Sequence, residues 1–430
     1  MFDAAPSADA LKISICAVVQ SGIDLMMNLK SGAPFWAVKN GLIKSYPRLR
    51  SDATCDVLVV GAGITGALIG DHVTRAGMSV CVVDQREAGW GSTAASTALL
   101  QYEIDTELQD LCAKYGVEDG VLAYKACEAA IGSLAVLAKK LGGVDFQSMQ
   151  SLYFASRWYH KHRVEEEGAL RLAHGFKLEV LDRKALNARF GIDAPAGLLS
   201  AVAAEVDPYQ LAHKLLARIV SLGGQVHART QLERFENVRG GVLAYLDSGH
   251  TVQCKNLVLA SGYEAQKWLT QRVASNRSSY AFVSEPMPGE LDFLKNTLIW
   301  ESARPYLYLR RTGDERLIVG GEDDAIDIAV RRDLRVESKA ARLVKRVKNL
   351  FSGLELKAAF AWAGTFAETS DGLPFFGAHE AHGPRVHFAM AYGGNGITYS
   401  LIGAELLRDS LMGKTHPCAK LFSFDRLKRA

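Results

Sequence analysis

Cys55-Asp56-Val57-Leu58-Val59-Val60 runs directly into Gly61-Ala62-Gly63-Ile64-Thr65-Gly66, and Ser79-Val80-Cys81-Val82-Val83-Asp84 follows after a helical spacing through Gly77. The first run is short, apolar and β-branched, as a strand buried in a parallel sheet would be. Residues Ala67 to Gly77 carry helical periodicity and stop on a glycine. Strand, glycine turn, helix, strand and terminal acid make one βαβ unit. The glycine spacing has a mechanical reason. Gly61 permits the tight turn, Gly63 lets backbone approach a pyrophosphate, and Gly66 allows the helix to pack closely on the strand. The N–H groups of the helix start then face phosphate. Asp84 lies eighteen residues beyond Gly66, where a carboxylate can accept both hydrogen bonds of a ribose diol. This motif alone leaves FAD and NAD both open.

The chain has 430 residues, enough for two or three structural units and a large core. Apolar residues are 48% and charged residues 23%, with fifty Lys+Arg against forty-seven Asp+Glu. That composition excludes a disordered or collagenous chain, and no run of like charge points to nucleic acid. The seven cysteines are scattered and none form a CxxC pair. A disulfide framework, a zinc cage and an iron–sulfur cage are therefore not expected. Reduced cysteines point to a cytoplasmic setting. No stretch reaches about 20 uninterrupted apolar residues, so no transmembrane segment is expected. Residues 1–52 read as an N-terminal extension, with Met26 or Met27 as alternative starts, and they lack the positive start of a signal peptide.

Further along, residues 105–145 look helical, with Leu108, Leu111, Cys112 and Tyr115 on one face. Asp207-Pro208 opens a helix that Gly223-Gly224 ends. Strands are expected at 225–229, 242–247 and 252–254, and another ends on Ala260-Ser261-Gly262. Tyr306-Leu307-Tyr308-Leu309 is strand-like and aromatic, and Arg331 to Leu350 suits an amphipathic helix with a solvated basic face. The pair His160/His162 reads as surface, and neither HExxH nor GxSxG occurs, so no metal and no serine nucleophile are expected.

Three more motifs extend the βαβ reading: Gly89-Trp90-Gly91-Ser92-Thr93-Ala94-Ala95-Ser96, Asp371-Gly372-Leu373-Pro374-Phe375-Phe376-Gly377, and Tyr392-Gly393-Gly394-Asn395-Gly396-Ile397-Thr398. Together they resemble the FAD-dependent D-amino acid oxidase superfamily, which includes glycine oxidase, sarcosine oxidase and γ-glutamylputrescine oxidase. The resemblance covers roughly residues 53–413. It implies an α/β fold in which a Rossmann-like FAD-binding domain (53–145, 205–275 and 358–413) carries an inserted substrate domain on an antiparallel sheet (146–204 and 276–357). Residues 414–430 would be a tail. It also implies noncovalent FAD. Gly61, Gly63, Ile64, Thr65 and Gly66 would hold the pyrophosphate and Asp84 the adenosine ribose, with Gln85 and Arg86 beside adenine. Gly91, Ser92 and Thr93 would contact phosphate or ribityl oxygens. Ala98 and Leu99 would flank the flavin ring, Leu232 would meet adenine, and Ser261 and Gly262 would close the cofactor strand. The turn Gly393, Gly394, Asn395, Gly396, Ile397 and Thr398 would aim N–H groups at the pyrimidine edge, where reduction builds negative charge.

The sequence departs from this family where an arginine binds the substrate carboxylate, a few residues before the Asp371-Gly372 motif. Phe366 stands in that place and Glu368 is the nearest charge. A buried carboxylate needs a paired cation, so an amine without an adjacent carboxylate, or a larger substrate anchored elsewhere, is favoured. Glu368 would pair with a substrate ammonium. Tyr306, Tyr308 and Arg310 share one strand face by alternation and would line the substrate pocket, with Trp300 and Trp362 as further wall candidates. The reaction expected is oxidation of a C–N bond of an amine or amino acid by hydride transfer to flavin N5, followed by imine hydrolysis. Oxygen, a quinone or a redox partner would take the electrons. A hydroxy-acid or polyol dehydrogenase, and a flavin-binding subunit without turnover of its own, remain as alternatives.

Overall fold

The computed structural model describes residues 28–325, 327–390 and 392–428. Cys16, Met26 and Met27 lie outside them. Two sheets organise the chain. The smaller, 8-stranded sheet has at its centre the strand Ala53–Val60, flanked in parallel by Val80–Val83 and Thr251–Leu259. Val57, Leu58 and Val59 are fully buried because helices cover one face and the antiparallel strands Leu232–Val238 and Gly241–Leu246 cover the other. Helix Ile64–Arg75 follows the glycine turn and packs against Pro208–Ser221 and Gly396–Leu411.

The larger sheet has 10 strands, in the order Lys30–Gly32, Ala358–Glu368, Ser275–Ser284, Leu317–Asp324, Tyr308–Arg311, Thr297–Glu301, Gln147–Phe154, Ala196–Glu205 and Leu99–Gln101, with Leu178–Asp182 also paired to Ala196–Glu205. All its pairings are antiparallel except that of Thr297–Glu301 with Gln147–Phe154. Helix Ala329–Leu350 covers its outer face through Val336, Ala340, Leu343 and Val347.

Several expectations change here. The 105–145 segment is two helices, Leu108–Tyr115 and Val117–Leu141, parted by Gly116 at φ +87°, a conformation that favours glycine. Val117–Leu141 is long and apolar enough to cross a bilayer, yet Ala123, Tyr124, Cys127, Ile131 and Leu134 are buried against the rest of the fold. Residues 28–52, read as an extension outside the main fold, are joined to it, and Leu29, Phe35, Trp36, Tyr46 and Leu49 are buried. Lys30–Gly32 pairs with Ala358–Glu368, and Trp36 donates to the Ser96 carbonyl at 2.6 Å. The segment 414–428 is likewise no loose tail: Phe422 and Phe424 are buried, and Phe424 stacks on Phe375 at 4.9 Å. The helix Ala329–Leu350 has the expected solvated face, with Arg331, Arg342, Lys345 and Lys348 exposed, but not all of its cations lie there. Arg332 is buried and donates to Ser31, Asp327 and Thr365. His162 is exposed as expected, and His160 meets the Ser302 hydroxyl at 2.6 Å.

Candidate active site

A long cleft runs between the two sheets. One end is lined by Gly61, Gly63, Asp84, Arg86, Leu232, Ser261 and Glu264, the other by Tyr306, Tyr308 and Gly394. At the first end the glycine turn has the close contacts its spacing requires. Gly61 sits at φ +117°, and a Cβ there would fall 2.3 Å from the Ala260 carbonyl oxygen. A Cβ on Gly66 would lie 1.8 Å from the Gly61 carbonyl oxygen, so Gly66 serves packing and does not itself line the cleft. Gly63 caps the helix, and the Ile64 N–H donates to Thr93 Oγ1 at 2.9 Å, which links the turn to the Gly91–Thr93 segment.

Asp84 closes this end. Its Oδ2 accepts from the Ala62 N–H at 2.7 Å and its Oδ1 from the Arg86 N–H at 2.8 Å. Burial pushes its carboxyl up to about 6, against the two N–H donors and the Arg86 guanidinium. Gln85 and Arg86 both donate to Glu264, at 2.5 and 2.6 Å. Glu264 was not foreseen, since a lone acid in the short 3-10 helix Gly262–Trp268 carries no periodic signal. The Ser261 hydroxyl is buried without a partner and Gly262 takes φ +59°.

The middle of the cleft is bounded by Gly91, Ser92, Thr93, Ala98 and Leu99. Ala98 holds φ +56°, and its N–H donates to Ser96 Oγ at 3.1 Å. Trp362 lines this part and donates through Nε1 to the Ala95 carbonyl at 2.8 Å.

At the far end the C-terminal glycine turn differs from expectation. The Gly393 N–H already donates to the Ala367 carbonyl at 2.9 Å, and the Gly394 N–H to Asp105 Oδ2 at 2.7 Å. The donors left for a ligand are the first-turn N–H groups of helix Gly396–Leu411, which have no carbonyl partner within the helix. Gly393 to Ile397 line the cleft, whereas Thr398 is buried behind it. Asn395 is held by its side-chain amide, which donates to the carbonyls of Gln101 and Glu103 at 3.1 and 2.8 Å. The segment Gln101, Glu103, Ile104 and Asp105 thus belongs to the site although no motif marks it.

Tyr306, Tyr308, Trp300, Phe366, Ser279 and Asp323 complete this chamber. The Tyr306 hydroxyl donates to Asp105 Oδ1 at 3.0 Å, and the Tyr308 hydroxyl meets Ser279 Oγ at 3.3 Å. Gly320 makes room for Tyr308: a Cβ there would lie 2.3 Å from its ring. Trp300 stacks on Tyr153 at 4.1 Å.

Two expected residues are elsewhere. Arg310 shares the face of Tyr308 but lies past the end of the chamber. It is buried, donating through Nη1 to Glu205 Oε2 at 2.7 Å and through Nε to the Thr97 carbonyl at 3.0 Å. It braces the segment beside Ala98 and has no reach into the cleft. Glu368 is ion-paired to Arg277 and does not line the cleft. Among the described residues no group of three or more metal-ligating side chains occurs.

These features fit FAD. A glycine cradle that any Cβ would fill, a doubly held acid, an orphaned Ser261 hydroxyl and a free helix N-terminus lie along one continuous cleft. Comparison with known proteins agrees. The chain is 25% identical over 363 residues to glycine oxidase of Bacillus licheniformis, covering 83% of this chain and 93% of that protein. It is 23% identical to gamma-glutamylputrescine oxidoreductase of Escherichia coli (strain K12), covering 88% of each. The crystal structure of glycine oxidase from Geobacillus kaustophilus superposes with a TM-score of 0.74 at 18% identity, over 87% of this chain and 99% of that one. L-proline dehydrogenase from P. horikoshii gives 0.74 at 15%, over 89% and 99%. The family described as FAD dependent oxidoreductase matches residues 56–410, and the chain belongs to it.

Proposed function

We propose that this FAD-dependent oxidoreductase oxidises the C–N bond of an amine that carries no carboxylate on the reacting carbon. The observation that carries this is the charge of the chamber. Of the cleft-lining residues described, the cations are Arg86 and Lys267, both grouped with the Asp84 end. The Tyr306 end has Asp105, Asp323 and aromatic rings, with Phe366 in the lining. A carboxylate buried there would find no cation among the described lining residues, since Arg304, which is not one of them, lies over the Tyr306 ring and donates to the Asp105 carbonyl. The names of the relatives, glycine oxidase and gamma-glutamylputrescine oxidoreductase, support a nitrogen substrate.

Bound noncovalently, FAD supplies the two-electron acceptor for a substrate C–H bond beside nitrogen, and the imine product is hydrolysed by water. The protein's part is orientation and electrostatics. Tyr306, Tyr308, Trp300 and Phe366 give flat apolar walls that exclude water. The helix start at Gly396–Thr398 offers positive potential where negative charge accumulates. Asp105 holds that turn in place. The electron acceptor is oxygen, a quinone or a redox partner, and the six free cysteines among the described residues support a cytoplasmic site.

The test is anaerobic mixing of the yellow holoprotein with a panel of amines, amino acids, hydroxy acids and polyols. Loss of visible flavin absorbance with amines alone is expected. Bleaching by hydroxy acids or polyols instead would replace this reading with alcohol oxidation.

A further inference from the structure

The acids Glu322-Asp323-Asp324 end the strand Leu317–Asp324. Glu322 pairs with Arg342 and Arg346, each at 3.1 Å, and Asp324 with Arg335 at 2.9 Å and Lys339 at 3.0 Å. All four cations lie on the helix Ala329–Leu350. Alternation turns Asp323 the other way, into the cleft. Its Oδ1 is sealed from solvent and has no hydrogen-bond partner. A buried acceptor left in that condition costs free energy until a donor arrives.

Among the described residues no cation forms an ion pair with Asp323. Ser279 and Tyr308 offer hydroxyls, and Asp105 and Glu368 add negative potential. Arg304 is the cation that acts on Asp323. Its guanidinium lies over the Tyr306 ring, 4.6 Å from the centroid, and donates to the Asp105 carbonyl at 2.5 Å. Burial, followed by Asp105 and Glu368, pushes the Asp323 carboxyl up to about 6, against Ser279 and Arg304. At neutral pH an anion therefore stands in an aromatic chamber with no cation paired to it among the described residues, the Arg304 guanidinium being engaged by the Tyr306 ring and the Asp105 carbonyl. Tyrosine faces add attraction for a cation in such a place.

We infer that Asp323 seats a positively charged nitrogen of the substrate, and that the substrate is an aliphatic diamine or longer polyamine. The argument for a second nitrogen is electrostatic. The nitrogen being oxidised must be uncharged when the C–H bond breaks. An ion pair with Asp323 would hold that nitrogen as ammonium, so the seated nitrogen is a different one. This assignment rests on the proposed amine oxidation for the identity of the cation, while the seat itself rests on Asp323.

The experiment separates the two. Ammonium and acetate are titrated into holoprotein, and the visible flavin spectrum reports binding. Ammonium is expected to saturate wild type, to bind Asp323→Asn at least about thirty-fold more weakly, and to keep its affinity in Asp323→Glu within several-fold. Acetate is expected to bind wild type more weakly than the cation. In turnover, 1,4-diaminobutane should lose at least about thirty-fold in kcat/KM with Asp323→Asn, chiefly through KM, and butylamine far less. Equal cation binding by wild type and Asp323→Asn, or acetate as the better ligand of wild type, overturns the seat. Asp323-dependent cation binding with no amine able to bleach the flavin upholds the seat and removes the amine-oxidation reading. If Asp323→Asn does not retain FAD, Asp323→Ser and Asp323→Glu carry the same comparison.

Discussion

The carboxylate of Asp105 accepts the backbone N–H of Gly394 at 2.7 Å, joining the turn at the start of the last long helix to a segment 289 residues earlier. Its other oxygen takes the Tyr306 hydroxyl at 3.0 Å. One side chain therefore sets both the wall of the chamber and the backbone proposed to face the flavin. Asp105→Ala would leave two donors without an acceptor, at about 1–3 kcal/mol each if they remain buried. The expected result is a yellow protein whose flavin is reduced at least about ten-fold more slowly in anaerobic stopped-flow, with Asp105→Asn restoring part of the rate. An unchanged reduction rate in Asp105→Ala would remove Asp105 from this role.

Gly66 lets the helix close on the turn. Because a Cβ there would overlap the Gly61 carbonyl oxygen at 1.8 Å, Gly66→Ala must push helix and turn apart. Purified Gly66→Ala is expected to carry little flavin, read as the ratio of visible to ultraviolet absorbance. Gly132→Ala is the control. It lies in helix Val117–Leu141 with nothing within 4 Å of the added carbon, and it should raise stability by about 0.5–1 kcal/mol with full flavin content.

How much of this was legible in the sequence depended on whether a residue's role was local. Gly61, Gly63, Gly66 and Asp84 work through spacing within one βαβ unit, and the chain states that spacing openly. Tyr306 and Tyr308 could be placed together because strand alternation is a two-residue rule. Arg310 obeyed the same rule, yet its partner Glu205 lies on a strand 105 residues away, which no local pattern reveals. Asp323 was hidden for the opposite reason. Three acids in a row look solvated, and only the pairing of Glu322 and Asp324 with a helix on the other face isolates the middle one. Asp105 falls within the helical pattern read over 105–145, but the helix begins only at Leu108 and leaves Asp105 in an irregular segment, and residues 28–52 joined the fold through an edge strand of only three residues.

Arg310 now carries a structural prediction. Its guanidinium and Glu205 form a buried pair, and Nε holds the Thr97 carbonyl next to Ala98. Removing one partner of such a pair costs about 3–5 kcal/mol. Arg310→Met is expected to lower the urea midpoint and to loosen flavin, leaving KM for an oxidised amine unchanged within about two-fold in the flavin-saturated fraction. A large rise in KM with an unchanged urea midpoint would return Arg310 to the substrate pocket.

The C-terminal segment is anchored by Arg426, which donates to Asp371 Oδ2 at 2.7 Å and to the carbonyls of Leu373, Pro374 and Leu421. Burial opposes ionisation of Asp371, but Arg426, the Tyr115 hydroxyl and the Leu373 N–H outweigh it and hold the carboxyl below its ordinary value. A depressed carboxyl contributes stability that is present above its unfolded value and is lost as pH falls through the folded one. Arg426→Met should cost about 3–5 kcal/mol at neutral pH and flatten this acid-side loss, as urea midpoints across an acid series would register.

Asp84 titrates with the opposite sign. Burial lifts its carboxyl to about 6, above the unfolded value near about 4. A raised carboxyl favours the folded state fully below the unfolded value, and that contribution disappears as pH rises through the folded one. Apoprotein should therefore lose stability between about pH 4 and pH 6 on this account. FAD binding should run the other way, because only the ionised carboxylate accepts both ribose hydroxyls while keeping the Ala62 and Arg86 N–H bonds. Flavin affinity is expected to rise through about pH 6, measured by fluorescence quenching on titration of apoprotein. Asp84→Asn should flatten both curves and weaken FAD at neutral pH by at least about ten-fold. A wild-type affinity that stays level across that range would show that the ribose contact does not depend on Asp84 charge.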